Sequence, residues 1–291
     1  DVDANNYQYK GKQKLVYTNN SPDELNKVFY HLYFNAFQPG SQMDVRSLNI
    51  KDPDRRVKDR ISKLMPNEIG YIKVSTLKQN GAAVNFNTVG TILEVTLNTP
   101  IKSGESVTFD MVFDAQVPIQ VRRSGRNSKE NVALSMAQWY PKIAVYDQTG
   151  WNSDVFHAEG EFYGEFGDFQ VNFSLPKSFV IGATGTVLDG DPGWADVQVD
   201  TTLDFSIWKD IFDSTYTIAD EIDSRSVTFT AENVHDFAWV ASKNFFYEGG
   251  MSRDSETNIH VLYDRDRGHD WTKVVLERSI DALDWLESSF G

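Results

Sequence analysis

The 291-residue chain contains no cysteine. A disulfide framework, a thiolate nucleophile and a cysteine-based zinc site are therefore excluded. This absence does not fix a compartment. It suits the bacterial periplasm or the cell exterior, where a stray thiol would be oxidised. Positive charge is also scarce, with 28 Lys and Arg against 42 Asp and Glu, a net charge of −14. Nucleic acid and an anionic membrane surface are disfavoured as partners, since both call for a positive footprint. An acidic surface instead keeps the chain soluble and mildly attracts cationic ligands such as peptide amines. Histidine is limited to His31, His157, His235, His260 and His269. None is followed by another four residues on, so the helix that binds zinc through two histidines on one face is missing. No apolar run reaches the ~18 residues of a transmembrane helix. The chain opens at Asp1 without a methionine, which fits removal of a targeting segment.

Aromatic residues are abundant: 19 Phe, 12 Tyr and 7 Trp. Together with β-branched residues they favour a pleated, half-buried surface. Several segments alternate apolar and polar residues, the mark of a strand with one wet face. The clearest is Val107, Phe109, Met111, Phe113, Ala115 and Val117. Others are Phe169 to Leu175, Val199 to Ile207, Leu93 to Leu97 and Val227 to Ala231, with residues 9–18 and 28–36 near the start. Polar turns such as Gln38-Pro39-Gly40 and Asp189-Gly190-Asp191-Pro192-Gly193 separate them. The pattern predicts a mostly β chain, a sandwich or mixed-sheet assembly. Only residues 54–65 read as helical in the first 240.

The pattern changes after residue 247. Glu248 to Thr257 reads as a linker, Asn258 to Tyr263 as one more strand, and Val275, Ser279, Ala282 and Leu286 as the apolar stripe of a helix. Asp270 stands where an N-cap belongs, and Gly291 where the helix would end. The expected division is therefore a β domain over 1–247 and the opening of a second domain over 248–291.

Four constellations carry chemically versatile side chains. Asp264, Asp266, Gly268, His269 and Asp270 alternate like a calcium loop, but the twelfth position counted from Asp264 is Val275 instead of a bidentate acid. A strand-to-helix turn is the better reading. His157 with Glu159, Glu161 and Glu165 reads as a polar strand edge or loop before it reads as an acid–base set. Arg122, Arg123, Arg126 and Lys129 stand out in so acidic a chain, and are expected at a solvated hairpin tip. Trp139, Tyr140, Trp151, Phe156, Phe162, Tyr163, Phe166 and Phe169 are expected mainly in the core, although exposed members would stack on sugars or peptide side chains.

The segment from Gln138 to Gly185 is more specific. It contains Gln138-Trp-Tyr-Pro-Lys-Ile-Ala-Val-Tyr-Asp147, Gly150-Trp151, Gly160-Glu-Phe-Tyr-Gly-Glu-Phe-Gly-Asp-Phe169, Val171-Asn-Phe-Ser-Leu-Pro176 and Val180-Ile-Gly-Ala-Thr-Gly185. It resembles the amino-terminal domain of aminopeptidase N-type zinc metallopeptidases (the gluzincin family), in a bacterial branch. Residues 14–35, KLVYTNNSPDELNKVFYHLYFN, and His235-Asp-Phe-Ala-Trp-Val240 resemble the same branch.

The resemblance implies a saddle-shaped, non-catalytic β domain that packs on a thermolysin-like catalytic domain and shapes its substrate cavity. It implies that residues 248–291 begin that catalytic domain, cut short before the substrate-binding Gly-x-Met-Glu-Asn motif and the zinc helix. No metal ligand or catalytic residue is then expected in this chain, while zinc, a peptide substrate and hydrolase activity belong to the full-length parent. Gln138 is the candidate to meet the substrate's amino terminus, because a side-chain carbonyl accepts hydrogen bonds from an ammonium group. A periplasmic or extracellular, cell-surface location goes with this reading. Two alternatives stay open: a β-sandwich binding module for glycan or peptide, and a scaffold domain of a zinc-less parent.

Overall fold

The computed structural model describes residues 1–51, 54–157, 162–217 and 223–290. The chain is mostly β, built from several small antiparallel sheets. In chain order the principal strands are β1 (Gln8–Thr18), β2 (Leu25–His31), β3 (Tyr71–Gln79), β4 (Ile92–Ile101), β5 (Ser106–Gln116), β6 (Leu134–Met136), β7 (Gly167–Pro176), β8 (Val180–Ala183), β9 (Ser224–Val234), β10 (Trp239–Ser242), β11 (Phe245–Met251) and β12 (Asn258–Asp264). The longer helices among the described residues are α1 (Gln42–Asn49), α2 (Phe205–Thr215) and α3 (Val274–Phe290).

β5 lies between β1 and β3 in the largest sheet. Its alternate residues Val107, Phe109, Met111, Phe113 and Ala115 are all buried, as the period-two pattern requires. Tyr9 stands opposite Ala115, and Gly11 opposite Phe113. A methyl group at Gly11 would fall on the Phe113 ring, so close approach of the two strands requires glycine there. A second sheet joins Lys142–Ile143, β2, β4 and Asn85–Val89. A third has the order β8, β10, β6, Gly125–Arg126, and a fourth places β9 between β7 and Thr186–Gly190. Their inner faces share one large apolar core that includes Tyr30, Phe34, Phe109, Phe113, Phe229 and Phe237.

Four local expectations are corrected. Residues 199–207, read as a strand, instead form a turn and the start of α2. The Asp204 carboxylate accepts from the Ser206 N–H at 2.9 Å and caps that helix. The apolar periodicity arises because Val199 and Trp208 are buried around Phe246, with Leu203 and Phe205 packed beside them. Residues 54–65, read as helical, are turns ending in a single 3₁₀ turn, Ile61–Lys63, and Lys58 at φ 42 breaks any continuous helix. Glu248 to Met251, read as linker, are the second half of β11, paired with β12 from Phe245↔Asp264 to Met251↔Asn258.

Asp270 is not the cap of the long helix either. It lies inside a separate helical turn, Gly268–Trp271. Thr272 leaves the helical region and Lys273 adopts φ 65, so α3 starts afresh at Val274. Asp264 caps the preceding 3₁₀ turn through the Asp266 N–H, and also accepts from Asn244. None of the side chains of α3 is buried. Leu276 and Ile280 reach Gly250 on β11, while Val274, Trp285, Leu286 and Phe290 are exposed. No helix of the described residues is long and apolar enough to cross a membrane.

Candidate functional site

Gln138 sits in the bend that follows β6, with φ 54 and 5% exposure. A non-glycine residue with positive φ is uncommon and costs free energy, so the surroundings must hold it in place. They do so from both sides. The Ser124 hydroxyl donates to the Ala137 carbonyl at 2.5 Å. The Tyr9 hydroxyl donates to the Trp139 carbonyl. The Trp139 indole N–H donates to the Phe237 carbonyl at 3.0 Å, and the Gln13 amide to the Pro141 carbonyl at 3.0 Å. The Gln138 amide makes no hydrogen bond to another described residue.

Beyond the bend lies a buried polar cluster. The Tyr140 hydroxyl donates to Asp236 Oδ1 at 2.9 Å. Lys142 Nζ donates to the His235 carbonyl and lies 3.6 Å from the same Asp236 oxygen. Lys142 pairs across the sheet with His31, whose ring stacks on Tyr33 at 5.1 Å and an interplanar angle of 12°. Phe156 and Phe162 meet Tyr33 edge-on. Burial lowers the Lys142 pKa against the opposing pull of Asp236. Burial likewise raises the Tyr140 and Tyr33 hydroxyls, with Asp236 adding to both. His31 is pushed down to about 4, chiefly by burial. Asp236 ties Tyr140 and Lys142 together, and burial holds His31 in its neutral form.

The other sequence candidates fall elsewhere. Arg122 and Arg126, expected in solvent, are buried. Arg122 lies over the Phe156 ring and 3.9 Å from Asp54, and Arg126 lies 4.2 Å above Tyr7 while donating to the Asn67 carbonyl. Planar, weakly hydrated guanidinium groups pack on rings in this way, which composition alone does not reveal. Arg123 reaches Phe162, and Lys129 is exposed. His157 is half-buried and Glu165 exposed, whereas Glu159 and Glu161 lie outside the described residues. Tyr140 and Phe156 are buried, and Tyr163 and Phe166 are exposed. Among the described residues no group of three or more His, Asp or Glu is placed to hold a metal ion. Tyr140 lies in the core, where the aromatic-rich stretch is expected, whereas Lys142 and Asp236 stand in the quoted segments with no role expected of them. The apolar neighbours crowding Lys142 were the available signal.

No family model and no curated protein matches the chain. Among solved structures, it is similar to an M1 zinc metallopeptidase from Deinococcus radiodurans, with 11% identity and a TM-score of 0.43, over 87% of this chain and 42% of that one. A mutant two-domain M1 zinc metallopeptidase bound to L-arginine matches at 11% identity and a TM-score of 0.45, over 88% and 43%. A mutant D. radiodurans enzyme bound to a Tyr-Ser-Ala substrate matches at 12% and 0.44, over 87% and 42%. The chain thus spans less than half the length of these structures.

Proposed function

We propose that this chain is the non-catalytic amino-terminal β domain of a zinc aminopeptidase-like protein, with residues 248–291 opening its catalytic domain. The described residues offer no side-chain set fitted to zinc. In this reading the metal belongs to the catalytic domain, and no chemical step is assigned to this chain. Its contribution is to wall the cavity and position substrate, a proximity effect. Gln138 accepts a hydrogen bond from the peptide's amino terminus. A periplasmic or cell-surface location belongs to the same reading.

The observation that carries it is the state of Gln138. Its amide makes no hydrogen bond to another described residue, and its backbone is held at φ 54 by hydrogen bonds on both sides. The resemblance of residues 138–185 supports it independently. The test is hydrolysis of an aminoacyl reporter by the complete gene product. A hydrogen bond to a charged group contributes about 1.5–3 kcal/mol, so Gln138→Ala should raise KM about tenfold or more. A complete product without a His-Glu-x-x-His helix, or one whose KM ignores Gln138→Ala, would overturn the assignment.

A further inference from the structure

Three distant stretches of the chain close around one cleft of about 290 Å³. They are the turn 38–41 with the first residues of α1, the Gly90–Thr91 turn ahead of β4, and Val155–Phe156. Hydrogen bonds brace them against one another. Asn35 Nδ2 donates to the Gly90 carbonyl at 3.1 Å, and Asn35 Oδ1 accepts from the Ile72 N–H at 2.7 Å. Thr91 Oγ1 accepts from the Phe156 N–H at 3.0 Å. The Ser41 hydroxyl donates to the Ala36 carbonyl at 2.6 Å and accepts from the Asp44 N–H at 3.2 Å. Buried Met43 and Phe156 supply the apolar part of the lining. Small-ligand sites are concave and largely pre-formed in this way, with few polar groups on an apolar surface.

The bracing groups are spent, but two amides are not. Gln38 and Gln42 line the cleft and make no hydrogen bond to another described residue. Each offers an acceptor oxygen and an NH₂ donor, and the Thr91 hydroxyl keeps its own hydrogen to give. Among the described residues no charged side chain lines the cleft. Asp44, next in the chain, is 3% exposed; its Oδ2 accepts from the Gly40 N–H at 2.8 Å and its Oδ1 has no hydrogen-bond partner. That carboxylate offsets the positive end of α1. With the net charge of −14 it turns anions away. A bare cation would leave the amide NH₂ groups and the Thr91 hydroxyl without acceptors. A peptide main chain would need free backbone groups, yet the Gly90 carbonyl and the Phe156 N–H are already taken. A pyranose ring meets both demands of the lining. Its hydroxyls donate and accept towards the amides, and its C–H face suits Met43 and Phe156.

We propose that the cleft between Gln38, Gln42, Thr91 and Phe156 binds one neutral hexopyranose unit. The site depends on neither Gln138 nor zinc. The test is titration of this chain with the methyl glycosides of glucose, galactose and mannose, followed in its amide NMR spectrum. Controls are the three matching uronates, the neutral peptide acetyl-Gly-Gly-Gly-amide, and methylammonium.

At least one hexoside should bind with a Kd of about 1–10 mM, as suits a ligand of so few atoms. Its uronate should bind about fivefold more weakly or worse. Shifts should centre on Gly40, Gly90, Thr91 and the side-chain amides of Gln38 and Gln42. Neither amide bonds to another described residue, so Gln38→Ala and Gln42→Ala should keep the wild-type circular dichroism. At least one of them should lose about fivefold in affinity. No hexoside binding up to about 50 mM, equal binding of the uronates, or preference for the peptide or methylammonium would each overturn the proposal. So would shifts centred outside the cleft, or indifference to both substitutions.

Discussion

The Tyr263 hydroxyl donates a 2.5 Å hydrogen bond to Glu248 Oε1, joining the two strands of the β11–β12 hairpin from within. Glu248 is 2% exposed and also accepts from the Lys273 N–H at 3.2 and 3.1 Å, just before α3 begins. A carboxylate there meets the orphan donors and positive end of the helix. Since α3 buries none of its side chains fully, this contact adds to the packing of Val275, Leu276 and Ile280 and to the Arg253 bridges with Asp281 and Asp284 in holding the helix. Glu248→Ala removes the acceptor of the part-buried Lys273 N–H and leaves the Tyr263 hydroxyl with Thr272 Oγ1 alone, at 3.0 Å. It should cost about 2–3 kcal/mol in urea denaturation and speed amide exchange across 274–290. Unchanged exchange there would show that the helix is held by other means.

Lys142 and Asp236 form the buried ion pair next to Gln138, with Lys142 only 6% exposed. Breaking such a pair on one side strands a charge in an apolar setting, whereas removing both charges is far cheaper. Asp236→Leu should destabilise the chain by about 2–4 kcal/mol. Adding Lys142→Met should recover part of that loss in a double-mutant cycle. Additive effects would mean that the two groups do not interact.

Much of this architecture could be read from the residues, for reasons that also explain the failures. β5, β7 and β9 bury one face each, so Phe109, Phe173 and Phe229 recur at period two and the strands were legible. The start of α2 was misread because Val199, Leu203 and Phe205 belong to a small core around Phe246, and spacing in sequence did not disclose that tertiary demand. Glu248 looked like a linker residue because its partners, Tyr263 and Lys273, lie fifteen and twenty-five positions away. At the candidate site, the type and position of Gln138 were legible. Its positive φ and unbonded amide depend on Ser124, Tyr9 and Phe237, which no local pattern links to it.

His31 supplies a pH dependence of definite sign. Burial pushes its folded pKa down to about 4, below an ordinary value near 6.5. Between those values the unfolded chain binds the proton more readily than the folded one, so stability falls as pH falls. The contribution is complete above about pH 6.5 and is lost on descending through about pH 4. By linkage it amounts to about 2 kcal/mol between pH 7 and 5. His31→Gln removes the titration, and its denaturation midpoint should vary less over that interval than that of the wild type. Parallel pH profiles for the two proteins would rule out His31 as the source.

Gln138 offers a final test, of whether its strained backbone is tolerated for the sake of the side chain. At φ 54, glycine carries no Cβ penalty and asparagine a reduced one, whereas a β-branched residue is worst. Backbone considerations alone predict that Gln138→Gly and Gln138→Asn stay within about 1 kcal/mol of the wild type, and that Gln138→Val costs about 1–2 kcal/mol more. The amide makes no hydrogen bond to a described residue, so its loss leaves no donor or acceptor stranded in the chain. If glycine instead destabilises by several kcal/mol, the side chain is a structural plug. The bend then needs glutamine for packing, and its role as a recognition group loses its support.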